Sequence, residues 1–400
     1  VGSEDSDNDG YSNQDEVDNG TNPCNGGDKP DDNDGDLISD LNDNDDDNDG
    51  IIDLNDAFQW DANNGNNTNL PISYPFWNGD PGTGYAGLGF TGWMTNGTID
   101  YLNTFNADNL TFGGAGGVAT VDVVSEGDAY LGVNTQENAF QFGINVDNNS
   151  PSFTIHSRLL GPFFGNPSVN PLDFASQGIY IGTGDQDNYL KVVVNRGLAS
   201  GGNISGIEVA LETNGNVNST SYDLFDLTAI GSSIDLYIVV DPSLGSAQPY
   251  YSIDGGTTLN SVGTPINLPS SFLNPNDDKG LAVGIISTST GVAPEFAASW
   301  DFINVLPSTS GIDVRINAGG TEITNSGLTF LGDQNFTGGQ SYSNTNAQVP
   351  PLYQTERSST TKTFQYNVPV PNGDYTVILH FAEIYWGATG GGAGGNGKRI

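Results

Sequence analysis

Within its first 56 residues the chain repeats one oxygen-donor pattern three times: Asp-x-Asp-x-Asp, with further donors four and seven residues on. The first copy is Asp5, Asp7, Asp9, Asn13 and Glu16; the second is Asp32, Asp34, Asp36, Asp40 and Asp43; the third is Asp45, Asp47, Asp49, Asp53 and Asp56. Two carboxylates about 4 Å apart repel by about 4 kcal/mol at a surface-like dielectric. Such a segment either stays a solvated acidic tail or folds around positive charge. The register argues for folding, because a disordered Asp/Asn tract has no reason to keep positions 1, 3, 5, 9 and 12 three times, or Ile38 and Ile51 at one offset. Calcium takes six to eight hard oxygens at about 2.3–2.6 Å, and a loop with acids at those positions supplies them. Gly10 and Gly50 occupy position 6, where the chain turns sharply. Leu37 stands there in the second copy, which predicts a loop that bends differently or binds more weakly. Ca2+ is the expected cofactor, and without it residues 1–60 are expected to unfold.

The last two loops begin 13 residues apart, which leaves no room for the paired helices of an EF-hand. That register, with the wording Asp7-Asn8-Asp9-Gly10 and Asp47-Asn48-Asp49-Gly50, resembles the thrombospondin type 3 repeat of bacterial surface proteins across residues 1–61. The resemblance implies a semi-rigid, calcium-wrapped connector. The paired cysteines of the animal version are absent, since Cys24 is alone.

Composition narrows the partners. A net charge of −39 with only ten Lys and Arg excludes nucleic acid and argues against an anionic membrane surface. Nearly half of the acids precede residue 62, so the remainder is only moderately acidic. One cysteine cannot form an internal bridge, and no apolar run approaches the roughly 18 residues of a membrane span. Calcium in place of disulfides, with abundant Gly, Asn, Ser and Thr, reads as a secreted or cell-surface protein. The chain is read as part of a longer exported protein, whose other modules would be its neighbours.

The fold class expected is all-β: the calcium-binding segment followed by two β-sandwich, jelly-roll-like domains. After a polar, Asn-rich joint from Asp61 to Asn69, short alternating strands follow one another. They are predicted at 119–124, 139–146, 153–160, 178–182, 189–195, 206–213, 232–241, 249–254, 281–287 and 300–306. In the seventh, Ile234, Leu236, Ile238 and Val240 recur with period two, as a half-buried strand requires. These place a sandwich over 62–306, a linker at 307–311 and a second strand-rich unit over 312–400. The segment from Gly178 to Lys191, with the closing Ala298-Ser299-Trp300-Asp301-Phe302, resembles the concanavalin-A/laminin-G jelly roll. That class often binds glycans, although a fold does not fix function. Asp185 and Asp187 flank a turn, and a hydrogen-bonded turn is the reading favoured over a calcium or sugar site. Trp77, Tyr85, Phe90 and Trp93 are read as core aromatics in preference to a sugar platform.

Four motifs in order carry the last resemblance: Arg315-Ile316-Asn317-Ala318-Gly319-Gly320; Leu352-Tyr353-Gln354-Thr355-Glu356-Arg357; the run from Phe364 to Val370; and Gly373 to Trp386, with His380-Phe381-Ala382-Glu383-Ile384-Tyr385-Trp386 at its end. Residues 312–400 resemble malectin, a carbohydrate-binding β-sandwich, with Lys398–Ile400 matching the start of a further family strand. The resemblance implies that sugar stacks on Tyr353, Tyr385 and Trp386, and more loosely on Tyr342; Trp386 stands where the eukaryotic protein has Phe. The glycine-rich stretch 387–397 is expected to be a mobile loop beside them.

Catalysis is not expected. His156 and His380 each fall within an alternating stretch, where a packed or hydrogen-bonded imidazole is the simpler reading, and Cys24 has no histidine near it in sequence. Three functions stay open: a carbohydrate-binding adhesin on a calcium-rigidified stalk, a spacer segment of a long surface fibre, and the non-catalytic binding arm of a polysaccharide-degrading enzyme. The adhesin is preferred.

Overall fold

The computed structural model describes residues 4–76, 83–104, 106–113, 116–164, 175–197, 205–227, 230–274, 279–289, 295–308, 314–325, 328–359, 363–368 and 377–394. Trp77, Gly373–Thr376 and Lys398–Ile400, which the sequence reading invoked, lie outside these residues. The chain separates into two compact units, Val1–Ile253 with Leu259–Ser308, and Asp254–Thr258 with Thr309–Ile400.

The first unit opens with the acidic loops and their one short helix, α1 (Asn13–Asn19). Its strands are β1 (Ile72–Tyr74), β2 (Gly92–Trp93), β3 (Leu110–Gly113), β4 (Val118–Val121), β5 (Ala139–Ile144), β6 (Phe153–Leu160), β7 (Ala175–Gly182) and β8 (Tyr189–Arg196). There follow β9 (Ser205–Thr213), β10 (Asn216–Leu224), β11 (Ser233–Asp241), β12 (Ser246–Ser252), β13 (Asn260–Ser261), β14 (Ile266–Asn267), β15 (Leu281–Thr288) and β16 (Ala298–Pro307). They form two antiparallel sheets. One runs β13-β12-β11-β6-β16-β4-β3, with β1 on β16 and β14 on β12; the other runs β10-β9-β8-β7-β15-β5-β2.

Alternation explains the first sheet. Phe153, Ile155 and Leu159 of β6 and Ile234, Leu236, Ile238 and Val240 of β11 point inward, while the residues between them are half-buried or hydrogen-bonded across the outer face. Trp300 is fully buried in the same core, and its indole N–H donates to Gly178 O across the sandwich at 3.0 Å. The central strands of the second sheet, β7, β8 and β15, are buried on both faces, as their near-continuous apolar sequences require. Tyr180, Tyr189, Val193 and Ile286 on its outer side pack with Met94, Ala129 and Ala139. Ala57 and Phe58, just past the third acidic loop, pack there on Ala282. All ten predicted strands are present. The short β1, β2, β3, β13 and β14 were missed, and so was the nine-residue β10: it pairs only with β9, its residues alternate between exposed and half-buried, and its Asn/Ser/Thr-rich sequence carries no apolar period.

Among the described residues the second unit holds three antiparallel pairs: β17 (Ile323–Asn325) with β18 (Leu328–Phe330), β19 (Phe336–Thr337) with β22 (Gln365–Tyr366), and β20 (Gln340–Ser343) with β21 (Thr355–Ser358). Asp333 ties the second and third of these pairs together. It accepts from Arg357 Nε at 2.8 Å, from Arg357 Nη2, and from Tyr366 OH at 2.7 Å. The Arg357 guanidinium also lies over the Phe336 ring at 3.3 Å. Burial alone would raise the Asp333 carboxyl, but these donors outweigh it and hold it below the usual carboxylate range. Residues 377–384 belong to no ladder among the described residues; Val377, Ile378, Leu379 and Phe381 (86 % exposed) face solvent. His380, expected within a strand, is therefore exposed.

Candidate functional site

Each acidic loop is closed by the same hydrogen bonds. The first aspartate accepts from backbone N–H groups further on: Asp5 from Asn8 (2.7 Å) and Gly10 (3.1 Å), Asp32 from Gly35 (2.8 Å) and Leu37 (3.1 Å), Asp45 from Asp49 (3.1 Å) and Gly50 (3.0 Å). The residue at position 9 accepts from the N–H at position 2, as in Asn13 with Ser6 (2.9 Å), Asp40 with Asn33 (2.7 Å) and Asp53 with Asp46 (3.1 Å). The fifth position accepts from the seventh: Asp9 from Tyr11, Asp36 from Ile38 and Asp49 from Ile51. Leu37 does not make its loop bend differently. It adopts φ +76°, in the left-handed region of Gly10 (+110°) and Gly50 (+97°), and makes the same bond to the first aspartate. The second loop thus has the same shape at the cost of strain that glycine avoids.

The first aspartate of each loop uses both carboxylate oxygens in these bonds, whereas Asp9 and Asp53 use one and keep the other buried. Asp5, Asp7 and Asp9; Asp32, Asp34 and Asp36; and Asp45, Asp47 and Asp49 each bring ligand oxygens within 4.8 Å of one another. In the first loop both oxygens of Asp7 and of Glu16, and Oδ2 of Asp9, have no hydrogen-bond partner; in the third, Oδ2 of Asp47, Asp53 and Asp56 have none. Burial, aided by neighbouring carboxylates, pushes Asp47 and Asp53 up to about 7 and Asp56 up to about 6. Buried hard anions without donors fit a divalent cation, and Asp5, Asp7, Asp9 and Glu16, or Asp45, Asp47, Asp49 and Asp56, are the residues to hold it. The second loop differs: Asp36 is exposed, Asp43 is half-exposed and already accepts from Asn44 N and Asp45 N, and none of its acids has a buried unpartnered oxygen.

The loops are keyed to one another and to the sandwich. Tyr11 OH donates to Asp32 Oδ2 at 2.7 Å, and Asn48 Nδ2 to Asp34 Oδ2. At the sandwich end, Tyr101 OH donates to Asp46 Oδ2 at 2.5 Å, accepts from Trp60 Nε1 at 2.9 Å, and its ring stacks on Trp93 at 4.5 Å. Gln59 bridges Asp56 O (2.8 Å) to the backbone N–H of Trp93 (2.9 Å). The Asn-rich joint is itself the opening half of a loop. Asp61 accepts from Asn63 N and Gly65 N, and Asn64 has φ +51°, matching Asn8 (+62°) and Asn48 (+56°). The signal was Asp61-x-Asn63, with asparagine in place of the second aspartate.

In the second unit, the ring of Tyr342 on β20 meets Tyr385 edge-on at 5.1 Å, and Tyr385 meets Trp386 edge-on at 4.6 Å. Glu383 Oε1 accepts from the backbone N–H groups of Tyr385 (2.8 Å) and Trp386 (2.7 Å). Asn344 Nδ2 donates to Ile384 O (2.7 Å) and Thr389 O (2.9 Å), tying both sides of the aromatic pair to the end of β20. The described part of the glycine-rich stretch is a closed turn with Gly387 N bonded to Gly392 O at 2.8 Å. A Cβ on Gly392 would stand 2.8 Å from the Tyr385 ring, so only glycine lets the turn lie against it.

Residues 312–400 match the family model of the malectin domain, and residues 5–26 that of the bacterial TSP3 repeat. The chain is modular. Among solved structures, likenesses include a GH43 glycoside hydrolase engineered for endo-xylanase and exo-arabinofuranosidase activity (17 % identity, 60 % of this chain and 41 % of that one, TM-score 0.41). The GH43 protein BlXynB of Bacillus licheniformis (19 %, 48 % and 33 %, TM-score 0.35) and the CBM2 module of the evolved Dit of Lactobacillus casei BL23 phage J-1 (12 %, 59 % and 96 %, TM-score 0.36) are others. These TM-scores carry no argument about function, and the chain spans well under two thirds of the two GH43 proteins. A search of the curated proteins found no match.

Within the malectin domain, three of the four expected sugar-stacking residues, Tyr342, Tyr385 and Trp386, come together. Tyr353, on the turn before β21, is hydrogen-bonded instead to His380 Nδ1 at 3.0 Å. Arg357 of the same motif serves Asp333 rather than a ligand. In the sandwich, Tyr85, Phe90 and Trp93 are core aromatics, and Asp185 accepts from Thr183 Oγ1, Asp187 N and Asn188 Nδ2 as a hydrogen-bonded turn. His156 is packed, with Nε2 2.8 Å from Asp235 Oδ1 and its ring stacked on Tyr237 at 4.1 Å. No helix among the described residues is long and apolar enough to cross a membrane.

Proposed function

We propose that this chain is a calcium-stabilised, carbohydrate-binding segment of a secreted or cell-surface adhesin, acting by binding and not by catalysis. The observation that carries the reading is the gathering of Tyr342, Tyr385 and Trp386 on a backbone held by Asn344 and Glu383 inside a malectin-matching segment. Sugar C–H faces stack on aromatic rings, and rings with a polar tip suit a half-wet surface. Tyr342 and Trp386 are half-buried and Tyr385 is 37 % exposed, which leaves ring surface for a neutral glycan. Single-site affinity would be weak, and display of many copies on a cell surface would raise avidity without new contacts. The acidic loops, loaded with calcium, would hold the sandwich end of the segment rigid.

A glycan-array screen of the chain in calcium, beside a Tyr385→Ala/Trp386→Ala variant, tests this. Binding that disappears in the variant is the expected result. Silence of the folded, calcium-loaded wild type across a broad array would contradict it and leave the spacer reading.

A further inference from the structure

We propose that Asn64, which lies outside all three acid patterns, supplies an amide oxygen to the cation site of the third loop; this rests on the calcium reading of that loop. Asn64 is 6 % exposed, its Nδ2 is hydrogen-bonded to Asp49 Oδ2, and its Oδ1 has no partner. Leaving a buried amide oxygen unmatched is unfavourable, so this arrangement needs an explanation. The two ends of an amide exchange by a half-turn about its last bond. Facing a bare carboxylate, Asn64 must present its NH2 group. Facing a cation that Asp49 also holds, it presents Oδ1, and the unmatched oxygen becomes a neutral hard ligand of the kind calcium accepts.

Asn48 occupies the corresponding left-handed position in the third loop and reaches back to Asp34, the second acid of the second loop; Asn64 reaches back to Asp49, the third acid of the third. Residues 61–65 keep the backbone of a loop opening without its full set of carboxylates, because their role is to close the site before them. Around the same loop Asp47, Asp53 and Asp56, all buried, each keep an unpartnered Oδ2.

Calcium titration of the full chain, followed by tryptophan fluorescence and by terbium luminescence sensitised through tryptophan, reads this site. Trp60 and Trp93 contact Tyr101, whose hydroxyl is bonded to Asp46. Asn64→Gly removes the amide without straining a left-handed backbone, and Asn64→Asp keeps an oxygen while removing the donor. The expected result is that third-site affinity falls about tenfold in Asn64→Gly, the scale of loss seen when groups around a metal are removed, while Asn64→Asp binds at least as tightly as the wild type. If Asn64→Asp loses as much as Asn64→Gly, the amide is only a donor and the proposal fails. Wild-type affinity in Asn64→Gly would also overturn it. A wild-type chain that gives no calcium-dependent signal would instead overturn the calcium reading on which it rests.

Discussion

The acidic loops and the aromatic cluster of the malectin domain are both assembled by short-range hydrogen bonds, but they differ in what they leave unmet. In the first and third loops, buried carboxylate oxygens point inward with nothing to bond to. Around Tyr385 the rings meet edge to face, and the backbone N–H groups are capped by Glu383. On the proposed reading, a metal site would show itself as a deficit of positive charge, whereas a sugar site would be complete before its ligand arrives. The second loop lies between these cases: it repeats the acid spacing of a cation loop with Leu37 at the turn, but Asp36 is exposed and no buried oxygen is orphaned.

That contrast is sharpest at position 12. Asp56 is 1 % exposed with Oδ2 unpartnered, while Asp43 is half-exposed and hydrogen-bonded. Asp56→Asn should weaken calcium binding at least tenfold and lower the melting temperature in calcium. In EDTA the same change should raise it, because one of several crowded carboxylates has lost its charge. Asp43→Asn should do little in either condition. Thermal melts of both variants, with and without calcium, check this crossing of signs; parallel shifts for the two variants would erase the distinction between the loops.

A smaller effect is expected in the second unit, where charge is already matched. The donors from Arg357 and Tyr366 hold Asp333 below its ordinary range, so its contribution is present at neutral pH and is lost as pH falls through that depressed value. Asp333→Asn should destabilise this unit by about 1–3 kcal/mol near pH 7, the usual cost of losing hydrogen bonds to a charged group. The difference from wild type should vanish in acid and be unaffected by EDTA. Melts across pH, with and without EDTA, measure it, and a calcium-dependent difference would count against treating the two regions as distinct.

Much of this was legible in advance where local chemistry decides. Loop spacing picked out the three Asp-x-Asp-x-Asp clusters whose oxygens come together, and short strand patterns bounded by turn residues found ten strands. What escaped depended on partners distant in sequence. Tyr101 and Asp46 are 55 residues apart, and Tyr353 and His380 are 27 apart. β10 is an edge strand whose pairing with β9 outweighs its polar composition. Leu37 shows the loop overriding a residue's preference: the register puts it at the glycine position, and the loop's hydrogen bonds enforce there a left-handed backbone that leucine by itself avoids. The half-loop at Asp61–Gly65 was hidden by substitution of Asn for Asp, which keeps the turn and drops the charge.

The measurement that tests the central claim most directly is limited proteolysis of the intact chain in calcium and in EDTA, with cleavage sites mapped by mass spectrometry. Calcium should protect residues 4–56, and its removal should open that segment to cutting well before the strands of the sandwich core. Equal protection of the segment in EDTA would contradict the account, because it would mean that the inward-facing carboxylates fold without the cation they are arranged to hold.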